Sequence, residues 1–88
     1  MLQCTEVAAT GAALTGNGAR RLMGVRLTAA AAASTAILRD GSGAGPVLAR
    51  LQCAANDVDD LWVSDGLAFT TSIHVTLTGA GATVQLYA

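Results

Sequence analysis

Period-two alternation of apolar and polar side chains, glycine-rich breaks at short intervals and a scarcity of aromatic residues together predict an all-β chain. The expected architecture is a small antiparallel β-sandwich, jelly-roll or immunoglobulin-like, with about seven or eight short strands. Alternation carries the most weight. In the segment from Arg20 to Ala29, Met23, Val25 and Leu27 share one face and Leu22, Gly24, Arg26 and Thr28 the other. Val47, Ala49, Leu51 and Cys53 alternate with Leu48, Arg50 and Gln52; Ile73, Val75 and Leu77 with His74, Thr76 and Thr78; and Val84 and Leu86 with Gln85 and Tyr87. A repeat of two places one side of each segment in a core.

The breaks fall at Thr15-Gly16-Asn17-Gly18, at Asp40 through Pro46, at Ser64-Asp65-Gly66 and at Thr78-Gly79-Ala80-Gly81. Such residues accept the positive φ that tight turns between antiparallel strands require. The segment Ala29–Leu38 contains a local conflict, because five consecutive alanines have the highest helix propensity of any residue. A strand over Ser34–Arg39, preceded by an Ala-rich turn or close-packed strand, is expected instead, with a short helix as the alternative. The Asp40-Gly41 turn then makes a hairpin with Val47–Cys53 the simplest continuation.

The chain has 88 residues, 52% of them hydrophobic, with one Phe, one Trp and one Tyr. It reads as a single domain over residues 1–88, with residues 1–18 as an N-terminal strand or arm. A domain of this size hides only about 60% of its unfolded surface, so so apolar a subunit is expected to bury more against copies of itself or a larger partner. With so few rings the core must be thin and aliphatic, and Ala29, Ala36, Ala49 and Ala82 let the sheets approach closely.

If Met23, Val25, Leu27, Val47, Ala49, Leu51, Ile73, Val75, Leu77, Val84 and Leu86 point inward, then Leu22, Ile37, Leu48, Trp62 and Tyr87 lie outside and form the candidate oligomer interface. Burying that set at about 25 cal/mol per Å² would add several kcal/mol per subunit. Trp62, between Leu61 and Val63, is expected to be an anchor in the core or interface; a sugar-stacking platform assisted by Tyr87 is the competing assignment.

Other classes find little support. Five arginines against six acidic residues give a net charge of −1, which provides no field for nucleic acid. The uncharged stretch that could most tempt a membrane assignment, Leu27–Leu38, is about half of the roughly 20 apolar residues that span a bilayer and is mostly Ala, Ser and Thr, so no membrane partner is expected. Met1–Gly18 lacks the basic cluster and apolar run of a secretory signal, which points to synthesis in the cytoplasm. Cys4 and Cys53 are expected to be reduced and buried. Asp57, Asp59, Asp60 and Asp65 lack the spacing of a helical calcium loop and read as a solvated turn. Gly41, Gly43 and Gly45 are followed by Pro46 where a phosphate fingerprint needs glycine. One histidine, His74, assembles no nucleophilic triad, so neither an enzyme nor a cofactor or metal site is expected.

Taken together, three stretches resemble a family of small β-rich virion proteins of tailed bacteriophages. They are Arg20–Ala29 with its Leu-x-Gly-Val strand, Ile37–Ala49 with its Asp-Gly-Ser-Gly hairpin, and Gly66–Thr71 continuing to Val75–Gly79 and Val84–Tyr87. Many members read Gly-Leu-Tyr after the paired threonines, where this chain has Ser72-Ile73-His74. The resemblance implies a structural protein of the virion, located on the capsid surface. Its expected role is that of a homo-oligomeric head decoration or cement subunit, preferably a trimer, bound to the major capsid protein. Arg20, Arg21, Arg26 and Arg50 would supply polar contacts to the shell. A neck or tail subunit, or a particle-displayed module for carbohydrate or host surface, is the alternative.

Overall fold

The computed structural model describes residues 4–15, 21–69 and 72–88, with backbone alone at 14 and 15. Eight strands lie among the described residues: β1 (Cys4–Val7), β2 (Gly11–Thr15), β3 (Arg21–Thr28), β4 (Ser34–Asp40), β5 (Val47–Cys53), β6 (Val58–Ala68), β7 (Ser72–Thr78) and β8 (Thr83–Tyr87). They form two four-stranded antiparallel sheets, ordered β1-β8-β3-β6 and β2-β7-β4-β5. The first strand pairs with the last, the second with the seventh, the third with the sixth and the fourth with the fifth. One long hairpin has been rolled up so that its paired strands fall alternately into two layers. That is jelly-roll connectivity, and it excludes the immunoglobulin-like order. The first eighteen residues thus supply a strand to each sheet within the described part, rather than a single strand or arm.

The molecule measures 37 × 26 × 17 Å, and its thin axis is that of two sheets about 10 Å apart plus their outer side chains. The core comes mainly from the central strands: Val25 and Leu27 of β3, Ala36 and Leu38 of β4, Ile73 and Val75 of β7, and Val84 and Leu86 of β8. Phe69, just beyond β6, is the one buried ring. Ala29, Ala36, Ala49 and Ala82, the small residues the sequence assigns to the core, are all buried.

The alanine run is a connector rather than a helix. Tertiary hydrogen bonds capture it: Ala29 N–H donates to the Asp57 carbonyl at 2.9 Å, and Asn56 N–H donates to the Ala30 carbonyl at 2.7 Å. Ser34, the buried polar residue that opens β4, donates its hydroxyl to the Ala32 carbonyl at 3.0 Å. Long-range partners override the local propensity of alanine here.

Two bulges correct the assignment of faces. Between Leu22 and Gly24 the β3–β6 register jumps, from Leu22 opposite Leu67 to Gly24 opposite Trp62, so Val63–Gly66 bow out against Met23 alone. Ser64-Asp65-Gly66 therefore lies within β6 instead of ending a strand. Gly66 has φ +75° and crowds against Arg21 and Met23, a backbone state and a clearance that suit only glycine. The bulge turns Leu22 into the core at 1% exposure and leaves Met23 half-buried. Leu38 pairs with Ala49 but Arg39 with Val47, so Leu48 is the extra residue; it packs partly buried against the core while Val47 is exposed. Leu77 is half-buried, packed at the margin of the core.

Edge strands are protected by side chains. The Thr10 hydroxyl accepts from Leu77 N–H at 3.0 Å and donates to the Leu77 carbonyl at 3.2 Å, extending the β2–β7 ladder by one rung. Asp59 on β6 accepts from Gln52 N–H on β5 at 3.2 Å, tying one edge of each sheet together.

Leu38, fully buried at the centre of its sheet, is expected to cost about 2–5 kcal/mol when replaced by alanine. Urea denaturation of Leu38→Ala beside the parent chain measures this, and a change under 1 kcal/mol would contradict the packing described.

Candidate functional site

The outer face of the β1-β8-β3-β6 sheet carries the most distinctive surface. Cross-strand register sets Cys4, Tyr87, Gly24 and Trp62 in one row, and Glu6, Gln85, Arg26 and Asp60 in the next. Gly24 leaves a gap in the first row, which the six-membered ring of the Trp62 indole fills; a Cβ at this position would overlap it. Beyond the gap the indole meets Tyr87, with ring centroids 5.0 Å apart and planes inclined by 33°. Trp62 is nonetheless 53% exposed, so it is not a core anchor. Tilted ring pairs at this separation contribute about 0.5–1.5 kcal/mol beyond the area they bury. The Tyr87 phenol is held above its ordinary pKa by desolvation first and by the adjacent Cys4 thiol second.

In the second row Arg26 and Asp60 form an ion pair at 3.3 Å, each side chain 44% exposed. An exposed pair of this kind adds at most about 1 kcal/mol to stability. Its main effect is to fix the direction of two planar polar groups beside the aromatic pair.

The proposed interface residues do not gather into one patch. Trp62 and Tyr87 share the face just described. Ile37 lies on the outer face of the opposite sheet, between Arg50 and Thr76. Leu22 and Leu48 leave the set, because the two bulges turn them toward the core. Of the arginines, Arg21 and Arg26 are exposed on the first sheet and Arg50 on the second, while Arg20 lies outside the described residues. Arg39, absent from the sequence-based candidates, donates from Nη1 to the Gly45 carbonyl at 3.0 Å and braces the β4–β5 hairpin.

The acidic segment is divided among separate structural tasks. Asp57 Oδ1 accepts from Val58 N–H at 2.8 Å, Asp59 bridges to β5 and Asp60 pairs with Arg26. Among the described residues, no three His, Cys, Asp or Glu side chains cluster as a metal site. His74 lies beneath the β4–β5 loop, with Gly43 against its ring. Both cysteines are free thiols; Cys4 is exposed, contrary to the expectation of burial, and Cys53 is half-buried with its thiol 3.5 Å from the Asp57 carbonyl. Cys4 escapes burial because it occupies an edge strand on the outward side of its sheet. Among the described residues no helix is long and apolar enough to cross a membrane.

Compared with protein-family models, with curated proteins and with solved structures, the chain matches none.

Replacing Gly24 by alanine is expected to displace the indole, red-shift the emission of the single tryptophan and destabilise the fold by about 1–3 kcal/mol. An unchanged spectrum would show that the ring does not rest there. A colourimetric thiol titration of the native protein should find one fast-reacting group, lost in Cys4→Ser, and one slower group, lost in Cys53→Ser.

Proposed function

We propose that this chain is a structural protein of a tailed-phage virion, a homo-oligomeric and preferably trimeric decoration subunit that binds the major capsid protein on the head surface. The supporting observation is strand β6. It is eleven residues long, lies at the edge of its sheet and has no buried residue along its length. Val58 is 51% and Leu61 39% exposed on it. Leu61 sits opposite the buried Val25, so it points between the sheets at their open margin instead of into the core.

A long edge strand bearing apolar side chains is a liability in an isolated subunit and an asset in an assembled one. Closure of that margin by a neighbouring copy or by the shell would hide Leu61. The resemblance of the Arg20–Ala29, Ile37–Ala49 and Gly66–Tyr87 stretches to small phage virion proteins supports the same assignment. Arg21 and Arg50, on opposite sheets, would supply polar contacts at the rim; Arg26 is committed to Asp60. A neck or tail position uses the same surface.

Light scattering at micromolar concentration is expected to give a mass of several subunits, reduced to a single 8.8 kDa chain by Leu61→Asp. The parent chain should also cosediment saturably with empty phage heads. A parent protein that stays monomeric at high concentration and does not sediment with heads would overturn this function.

A further inference from the structure

We propose that the Trp62–Tyr87 face is a saccharide site, in which the indole stacks on the apolar face of a neutral pyranose while Asp60, Arg26 and Gln85 hold its hydroxyls. The proposal does not rest on the virion reading. The platform faces outward from the sheet, whereas the assembly surface is the β5/β6 margin around Leu61.

Three features of the surface point to this chemistry. First, the ring is presented in a fixed orientation. Gly24 seats one part of it and Tyr87 abuts it at 5.0 Å, yet more than half of the side chain remains open to solvent. Filling the glycine gap holds the ring in place, so little conformational entropy remains to be lost on binding. Second, the polar row is adjacent and faces the same way. Asp60, Arg26 and Gln85 occupy positions two residues along from Trp62, Gly24 and Tyr87 on their respective strands. An apolar plate beside oriented planar acceptors and donors matches a pyranose, which carries C–H groups on one face and hydroxyls around its rim.

Third, the charge of the surface disfavours anionic ligands. The Arg26 cation is neutralised by Asp60 at 3.3 Å, and Glu6 adds a negative charge in the same row, so a phosphate or carboxylate ligand would meet repulsion. A neutral sugar meets no such repulsion and can hydrogen-bond to both members of the ion pair.

Trp62 is the only tryptophan, so its emission reports on this face alone. The experiment titrates the whole protein with maltotriose, cellotriose and chitotriose to millimolar concentration. At least one is expected to change the emission saturably. Asp60→Asn, which alters an exposed side chain, should weaken that sugar about tenfold, as expected for loss of a charge-assisted hydrogen bond. Tyr87→Ala should weaken it further, and Trp62→Ala should abolish binding measured by calorimetry. Circular dichroism of each variant checks that the β-fold is retained. No saturable response to any of the three sugars, or binding undiminished in Trp62→Ala, overturns the proposal. So does a blue shift when the protein alone is concentrated without any sugar response, because a second copy would then cover the face.

Discussion

The structure depends on one thin aliphatic layer between two sheets. Central strands β3 and β8 on one side and β4 and β7 on the other supply its fully buried Val, Leu, Ile and Ala side chains, with Phe69 the single ring. Because the filling is thin and aliphatic, the loss of even one branched side chain leaves a cavity that the neighbours cannot readily close. Jelly-roll pairing makes this possible. Bringing first and last strands together in sequence-distant pairs puts the regularly alternating β8 beside β3 at the centre of one sheet and the regularly alternating β7 beside β4 at the centre of the other.

The edges obey a different rule. Strand β6 contributes no buried residue over its length and is held by its ladder with β3, by the Asp59 link to β5, by the Asp60–Arg26 pair and by the ring of Trp62 on Gly24. Apart from Leu67, which packs partly buried against the core, its side chains are free of the packing demands that fix the central strands. The surfaces with functional potential, the Leu61 margin and the Trp62–Tyr87 face, both lie on this strand or beside it. The same physical fact, weak involvement in the core, accounts for its bulge, its exposed apolar residues and its acidic content.

The departures from simple alternation share a cause. Extra residues at Val63–Gly66 and at Leu48 reverse which side of the sheet a position occupies, and a period-two pattern carries that reversal only if the pairing partner is known. Leu22 and Leu48 look outward in the sequence and turn inward in the fold, whereas Val47 does the reverse. The acidic residues dispersed for a similar reason. They are neighbours along the chain, but successive strand positions point to opposite faces, so Asp59 reaches β5 while Asp60 reaches Arg26.

From its residues alone the chain determined an all-β architecture, the hairpin around Gly41–Pro46, the strand that follows the alanine run, and the inward set Val25, Leu27, Ala49, Leu51, Ile73, Val75, Val84 and Leu86. Those features follow from local periodicity and turn chemistry, which act over a few neighbouring positions. Tertiary structure alone decided the jelly-roll order, the phase reversals at two bulges and the row Tyr87–Gly24–Trp62. Each of these is a relation between segments far apart in the sequence, and the exposed tryptophan stays above Gly24 because that glycine, nearly forty residues earlier, leaves room for its ring.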